Sequence, residues 1–142
     1  MNNDAKNAAK HHGSCHCGDV QYDVLIDPSQ ATRCNCSVCT KLGVTGSIVK
    51  PDAFKLLVDE SRLSSFSRFP EIATRFFCAR CHVLVFGKGH LAELGGDFIS
   101  VNLNTIDDFD PLNVTFAYWD GRHDNWQAGT RPTPWPVKRA EA

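Results

Sequence analysis

Short stretches in which apolar and polar residues alternate recur along the chain and predict β-strands. In Asp19–Ile26 every second residue from Val20 to Ile26 is apolar, which is the pattern of a strand with one buried face. Seven further segments have the same short, extended character: Gly46–Lys50, Phe54–Val58, Leu63–Ser67, Ala73–Cys78, Val83–Gly89, Phe98–Leu103 and Val114–Trp119. No long amphipathic helix pattern interrupts them, so the sequence predicts an all-β fold.

The connecting segments are short and polar. Ala73–Cys78 and Val83–Gly89 flank the letters CARC, as the two arms of a hairpin do. A helical turn is predicted near Thr105, which can cap it ahead of two aspartates. The tail from Asn125 onward contains three prolines and two tryptophans, and we expect it to run extended over the surface.

Length and composition indicate one folded domain. The chain has 142 residues, of which 42% are hydrophobic and 22% charged, values typical of a globular domain. The amino end is polar and lacks the apolar core of a secretory signal, so we predict a cytoplasmic protein. We assign residues 1–12, with the pair His11–His12, to a flexible N-terminal tail and residues 13–142 to a single domain.

The charge balance argues against two classes of partner. The formal net charge is −1, and basic residues are scattered along the chain rather than clustered. Nucleic acids and anionic membranes both attract proteins through concentrated positive charge. No apolar run approaches the roughly 20 residues that a membrane-spanning helix needs. We therefore expect neither a nucleic-acid nor a membrane partner.

The cysteines carry the strongest chemical signal. There are seven, and they fall into three groups, Cys15–Cys17, Cys34–Cys39 and Cys78–Cys81. An odd number of cysteines without an export signal disfavours a disulfide framework, because a reducing compartment keeps thiols free. Short Cys-x-Cys and Cys-x-x-Cys spacings let neighbouring thiolates converge on one metal ion. The alternative, buried structural thiols, suits isolated cysteines better than three groups.

Seven thiolates divide into a closed site and an open one. Four cysteines complete a tetrahedral zinc site, whereas three leave one coordination position for water or substrate. The simplest division joins Cys15 and Cys17 to Cys78 and Cys81, and leaves Cys34, Cys36 and Cys39 as the open site. Spacing alone also allows the group of three to recruit one of the other four. An open zinc–thiolate site permits a small thiol to add to an aldehyde.

Three motifs resemble one known family. The segments Gly13–Tyr22, Arg33–Gly43 and Arg75–His82, in this order, resemble the glutathione-dependent formaldehyde-activating (Gfa/CENP-V) family, and the likeness extends over about residues 13–136. The resemblance implies a β-rich Mss4-like "β-tent" fold. It also implies two zinc ions per chain, one structural and one on the group of three. The implied activity is a carbon–sulfur lyase that handles glutathione and formaldehyde.

One position departs from the family's usual motif. His82 stands where the family usually has a glycine after Cys-x-x-Cys. Glycine suits a turn with positive φ, and histidine tolerates that region better than most side chains. We expect His82 to occupy the turn and face solvent, with zinc ligation as the alternative. His16, between two ligand cysteines, is expected to point away from their metal.

Further candidates flank the predicted open site. Arg33 and Lys41 could bind the carboxylates of a glutathione-like substrate, although solvated basic residues fit equally well. Trp126 could line a pocket or pin the tail to the core. His90 and His123 have no evident partner in the sequence, and a general-base role is the alternative to a solvated side chain for each. The competing functions are a zinc-containing module that binds a protein or small thiol without catalysis, and an enzyme relative whose second site is empty or structural.

Overall fold

The computed structural model describes residues 5–138 and confirms the all-β prediction. Within this part of the chain there are ten strands and one short helix, α1 (Ser37–Leu42). The strands are β1 (Ala9–Ser14), β2 (Gln21–Ile26), β3 (Gln30–Cys34), β4 (Gly46–Val49), β5 (Phe54–Leu56), β6 (Leu63–Phe66), β7 (Ala73–Cys78), β8 (Leu84–Leu91), β9 (Gly96–Asn102) and β10 (Thr115–Trp119). Single 3₁₀ turns join them at Ala5–Asn7, Pro51–Ala53, Glu60–Arg62, Ala92–Leu94, Leu103–Thr105, Gly121–His123 and Trp126–Ala128.

The strands form two sheets. The smaller sheet has the order β1-β2-β5, and the larger has the order β10-β3-β4-β9-β8-β7-β6. Neighbouring strands are antiparallel except β10 and β3, which run parallel and set Trp119 beside Cys34. The predicted hairpin is β7–β8, with the turn at Cys81 between its arms. Among residues 5–138 no helix is long and apolar enough to cross a membrane.

The main hydrophobic core lies between the two sheets. Alternate residues of β2, including Tyr22 and Val24, are buried against Phe86 and Val101 of the larger sheet. The ring of Phe54 bridges the layers, 5.0 Å from the ring centroid of Tyr22 and 4.7 Å from that of Phe86. The alternation in β2 therefore marks a buried face, as the sequence predicts.

On the opposite face of the larger sheet, four residues from neighbouring strands are paired in a row across the sheet. Ile48 of β4 pairs with Ser100 of β9, Ser100 with Gly87 of β8, and Gly87 with Arg75 of β7. Directly paired residues share one face of a sheet. This row, with its two small residues, forms part of the floor of the cavity described below.

Several sequence predictions need correction. The flexible tail predicted for residues 1–12 is wrong for residues 9–12, which lie in β1 and pair with β2. Nδ1 of His11 bonds Asp108 and Nδ1 of His12 bonds Asp23, each at 3.0 Å, which helps to hold this edge strand. The 3₁₀ turn at Leu103–Thr105 is capped by Asn102 and not by Thr105. Residues 1–4 lie outside the described part.

The extended tail is also only partly as predicted. It contains the 3₁₀ turn Trp126–Ala128, and Arg131 then forms an isolated antiparallel bridge with Tyr118 of β10. Nε1 of Trp135 donates a hydrogen bond to the carbonyl oxygen of Tyr118 at 2.9 Å. The tail is therefore held along the outer strand of the larger sheet as far as Trp135, and residues 139–142 lie outside the described part.

Candidate metal centres and the adjoining cavity

The first cysteine cluster joins the turn after β1 to the β7–β8 hairpin. The Sγ atoms of Cys15, Cys17, Cys78 and Cys81 all lie within 4.8 Å of one another. The Cys15–Cys17 and Cys17–Cys78 sulfur separations are both 3.6 Å. Tetrahedral zinc with bonds of about 2.3 Å places its sulfurs about 3.8 Å apart. The four thiols therefore fit one tetrahedral metal ion.

Backbone amides point at these sulfurs. The N–H of Val20 donates to Cys15 Sγ at 3.3 Å, and the N–H groups of Arg80 and Cys81 donate to Cys78 Sγ at 3.3 and 3.4 Å. Amide donors stabilise negative charge on a thiolate. Cys78 is completely buried, so this cluster is closed to solvent on at least one side.

The two histidines next to these cysteines behave as expected. His82 is exposed and has a φ of 64°, and its backbone N–H closes the turn on the carbonyl oxygen of Cys78 at 2.9 Å. His16 is exposed as well. Neither belongs to a group of side chains that could hold a metal among the described residues. The prediction that His82 occupies the turn is confirmed.

The second cluster lies where β3 meets α1. The Sγ atoms of Cys34, Cys36 and Cys39 also lie within 4.8 Å of one another. Cys36 is the N-cap of α1, and its Sγ accepts a hydrogen bond from the N–H of Cys39 at 3.4 Å. Gly43, with a φ of 64°, ends the helix after six residues. The cysteine spacing thus builds a capped turn that directs three sulfurs to one point.

The electrostatics of the second cluster favour one thiolate before any metal binds. Hydrogen bonds from the Cys34 and Cys39 thiols, with a smaller effect of the Arg75 charge, lower the pKa of Cys36 to about 2. Hydrogen bonding to Cys36 and Cys39 raises the pKa of Cys34. The guanidinium Nη2 of Arg75 lies 3.2 Å from Cys39 Sγ. Metal binding at such a cluster displaces the remaining thiol protons.

Both donor sets consist only of sulfur. Soft thiolate ligands in a tetrahedral arrangement select zinc or iron–sulfur centres over magnesium or calcium. The cluster of four can saturate a tetrahedral ion, whereas the cluster of three leaves one position for a further ligand. The partition into Cys15/Cys17/Cys78/Cys81 and Cys34/Cys36/Cys39 that the sequence predicts is the one the geometry brings together.

A cavity of about 730 Å³ adjoins the cluster of three. Cys34, Cys36 and Cys39 line it, and none of the other four cysteines does. Three arginines also line it; they are Arg68, Arg75 and Arg122. This volume lies in the range of pockets that hold small organic ligands, roughly 300–1,000 Å³.

The basic residues predicted to bind substrate lie elsewhere. Arg33 and Lys41 are exposed, and neither lines the cavity. The Arg33 guanidinium lies over the ring of Phe116, 4.7 Å from its centroid, because alternate residues of β3 point to opposite faces. The structure thus places both residues outside the cavity that Cys34 lines, and their role in binding substrate stays a prediction.

The arginines that do line the cavity are bonded to the cysteine segment. Arg68 Nη1 donates to Ser37 Oγ at 3.0 Å, and Arg122 Nε donates to the carbonyl oxygen of Asn35 at 2.9 Å. Arg75 contacts Cys39. Sequence reasoning missed all three, because only strand pairing and loop placement bring them to the cysteines. No local signal identifies them: Cys78, the cysteine in the same strand as Arg75, belongs to the other cluster.

A buried carboxylate supports the cysteine turn from behind. Asp120 is 5% exposed and accepts hydrogen bonds from Asn35 Nδ2 at 2.8 Å and Asn125 Nδ2 at 3.2 Å, and it bonds His123 Nδ1 at 2.8 Å. Burial alone would raise the pKa of Asp120, but these hydrogen bonds lower it below the usual value. His123 does not line the cavity, so nothing supports a base role for it. His90, paired with Asp97 at 2.7 Å, does not line it either.

Trp126 serves both predicted purposes. It lines the cavity, and its ring lies 5.9 Å from that of Trp119, which is buried in the larger sheet. Its Nε1 donates to Asp124 at 2.7 Å. The tryptophan of the tail therefore packs on the sheet and closes one wall of the cavity.

The fold and the two clusters define a β-rich domain with two cysteine centres able to hold metal, one closed and one beside a cavity. Residues 10–122 match the family described as "Glutathione-dependent formaldehyde-activating enzyme", so the chain belongs to this family, and the resemblance noted from the motifs is confirmed. A crystal structure of a Rhodobacter sphaeroides protein is similar, with a TM-score of 0.62 and 21% identity. The match covers 74% of this chain and 98% of that one, and it shows a shared fold.

Proposed function

We propose that this protein is a zinc-dependent, carbon–sulfur lyase-type enzyme that joins a small thiol such as glutathione to an aldehyde. Cys34, Cys36 and Cys39 hold the zinc at which this happens. Cys15, Cys17, Cys78 and Cys81 hold a second, structural zinc, so that each chain binds two ions. The observation that carries the proposal is that only the cluster of three lines the cavity.

The chain's own residues divide the work of binding. Zinc on three thiolates, when bound, supplies a Lewis acid with a position for a further ligand. Arg68, Arg75 and Arg122 face the same cavity and can receive the carboxylates of a glutathione-like thiol through charge-assisted hydrogen bonds. Trp126 covers one side and limits the access of water, which strengthens these contacts.

The reaction itself is an addition. The sulfur of the thiol attacks the carbonyl carbon, the C–S bond forms as the carbonyl π bond breaks, and the thiol proton ends on the oxygen. Nothing is oxidised or reduced. Holding the thiol and the aldehyde in one cavity accounts for acceleration, because it turns a bimolecular reaction into an effectively unimolecular one between oriented reactants.

The test is a rate measurement with purified, zinc-loaded protein. Glutathione and formaldehyde are mixed with and without protein, and formation of the hydroxymethyl adduct is followed against the spontaneous reaction. We expect acceleration by the wild type and none by Cys36→Ser, in which the serine hydroxyl oxygen replaces Sγ as the cap of α1. A wild-type rate equal to the spontaneous rate at every protein concentration would exclude formaldehyde as the aldehyde, and the same result with every longer aldehyde tested would refute the enzymatic proposal.

A further inference from the structure

The cavity is larger than formaldehyde requires. Formaldehyde has no substituent on its carbonyl carbon, and glutathione is a polar peptide with two carboxylates and an amine. The three arginines account for the recognition of such a thiol. The cavity of about 730 Å³ also has an extended apolar wall, for which neither molecule provides a partner.

That wall is a hydrophobic cluster separate from the main core. Its buried members are Ile48, Leu94, Phe98 and Trp119, and Ala73, Leu91 and Trp126 pack against it. All seven line the cavity. Cys34 packs against the same cluster, so the wall begins at the site where the thiol is proposed to react. Contiguous apolar surface in a cavity is the usual partner of an apolar ligand group.

The floor beside this wall is kept open by small residues. The nearest neighbours of a Cβ at Gly46 would be Ser100 Oγ and two atoms of Thr32, at 3.6–3.7 Å, which is ordinary contact. Neither a positive φ nor a close approach therefore requires glycine at this position. Gly46, Ser100 and Gly87 lie on three adjacent strands, β4, β9 and β8, and all three line the cavity. Their small size leaves the cavity open beside the apolar wall.

We propose that the carbonyl partner of this enzyme is an aldehyde that carries an apolar group of several carbons. The apolar group packs against Phe98, Trp119 and their neighbours, while the thiol's carboxylates bind the arginines. The inference rests on the proposed function, since the same addition of S–H across C=O is assumed. It changes the substrate class from formaldehyde to longer, apolar aldehydes.

A binding experiment tests the inference without catalysis. S-hexylglutathione and S-methylglutathione are unreactive analogues of the adducts of a long and a short aldehyde. Each buried methylene favours binding about fourfold, the factor that corresponds to about 0.8 kcal/mol. We expect calorimetric titration of the zinc-loaded protein to give at least about tenfold tighter binding of the hexyl analogue. Equal or weaker binding of that analogue overturns the inference.

A kinetic series provides the second readout. Acetaldehyde, butanal and hexanal are each reacted with glutathione, and each kcat/KM is divided by the spontaneous rate constant of the same aldehyde. We expect this ratio to rise at least about tenfold from acetaldehyde to hexanal, as is common for added methylenes in an apolar pocket. A flat or falling series overturns the inference while leaving the enzymatic proposal intact. If the protein accelerates the reaction of none of these aldehydes but binds the hexyl analogue more tightly, catalysis is refuted and the apolar ligand site is supported.

A substitution in the floor locates the effect. Ser100→Leu fills the space beside the apolar wall, and Ser100→Ala is the matched control that leaves it open. We expect Ser100→Leu to reduce the preference for the hexyl over the methyl analogue at least about fivefold, and Ser100→Ala to retain it. An unchanged preference in a folded Ser100→Leu variant would place the apolar group elsewhere and overturn the inference. If that variant does not fold, the inference is judged by the relative affinity of the wild type for S-hexylglutathione and S-methylglutathione.

Discussion

Replacing Cys78 by serine should unfold the chain, whereas replacing Cys36 by serine should not. Cys78 is fully buried at the end of β7, and its Sγ lies 3.6 Å from Cys17 Sγ. Two backbone N–H groups donate to the same sulfur. The cluster that Cys78 completes connects the turn after β1 with the β7–β8 hairpin, about sixty residues further along the chain.

The magnitude follows from comparing zinc binding with domain stability. A structural zinc site contributes about 10–16 kcal/mol of apparent binding free energy, which is also folding free energy. A whole domain is stable by about 5–15 kcal/mol. Losing most of the contribution of the Cys78 cluster therefore removes the stability of the fold. The cluster that contains Cys36 lies within six residues and joins no distant segments, so its loss removes no cross-link of the fold. Serine also fills the capping role of Cys36 on α1 well, so the loss of that cap should cost less than about 2 kcal/mol.

The assay is thermal denaturation followed by circular dichroism, with zinc and a reductant present. We expect a cooperative transition for the wild type and for Cys36→Ser, and none for Cys78→Ser at room temperature and above. If both variants melt near the wild-type temperature, the cluster at Cys78 is not structural. If both unfold, the division into a structural and an open site is wrong.

Three further substitutions test other parts of the structure. Tyr22→Phe should lower the free energy of unfolding by about 0.5–1.5 kcal/mol in urea denaturation, because it removes the buried 2.7 Å hydrogen bond to the Thr105 hydroxyl, which keeps its bond to the carbonyl oxygen of Asn102; an unchanged midpoint would contradict this. Arg75→Gln should raise the KM for glutathione about tenfold or more, because Arg75 lines the cavity. Lys41→Gln, outside the cavity, should change this KM less than about twofold. An equal rise of KM in both variants would show that Lys41 also contributes to carboxylate binding. Asp120→Ala should weaken zinc binding at the second cluster about 10–100-fold in competition with a chelator, because the carboxylate holds the cysteine turn through Asn35; unaltered zinc affinity would show that the turn does not need this support.

The sequence predicts the features that depend on local spacing. The β7–β8 hairpin follows from two apolar runs around Cys81, and the three cysteine groups follow from short spacings within turns. Alternation in β2 also gives its buried face, since Tyr22 and Val24 face the core. These signals lie within a few residues of one another, so they can be recognised before the chain is folded.

The features that the sequence does not predict depend on long-range pairing. Residues 30–34 lack regular alternation, and they form β3 because β10 and β4 pair with them. Helix α1 has six residues and a cysteine cap, too short for a periodic pattern. Arg75 reaches the cavity because β7 lies beside β8, with Arg75 opposite Gly87. Arg33 is nearer to the cysteines in sequence, but it points to the opposite side of its strand.

The central claim is that the chain holds two metal centres, one on four cysteines and one on three. Its most direct test is zinc analysis of protein prepared with metal and reductant, for the wild type and for folded Cys36→Ser. We expect two zinc ions per wild-type chain and one per Cys36→Ser chain. One ion in both proteins would contradict it, because the cluster that lines the cavity would then hold no metal.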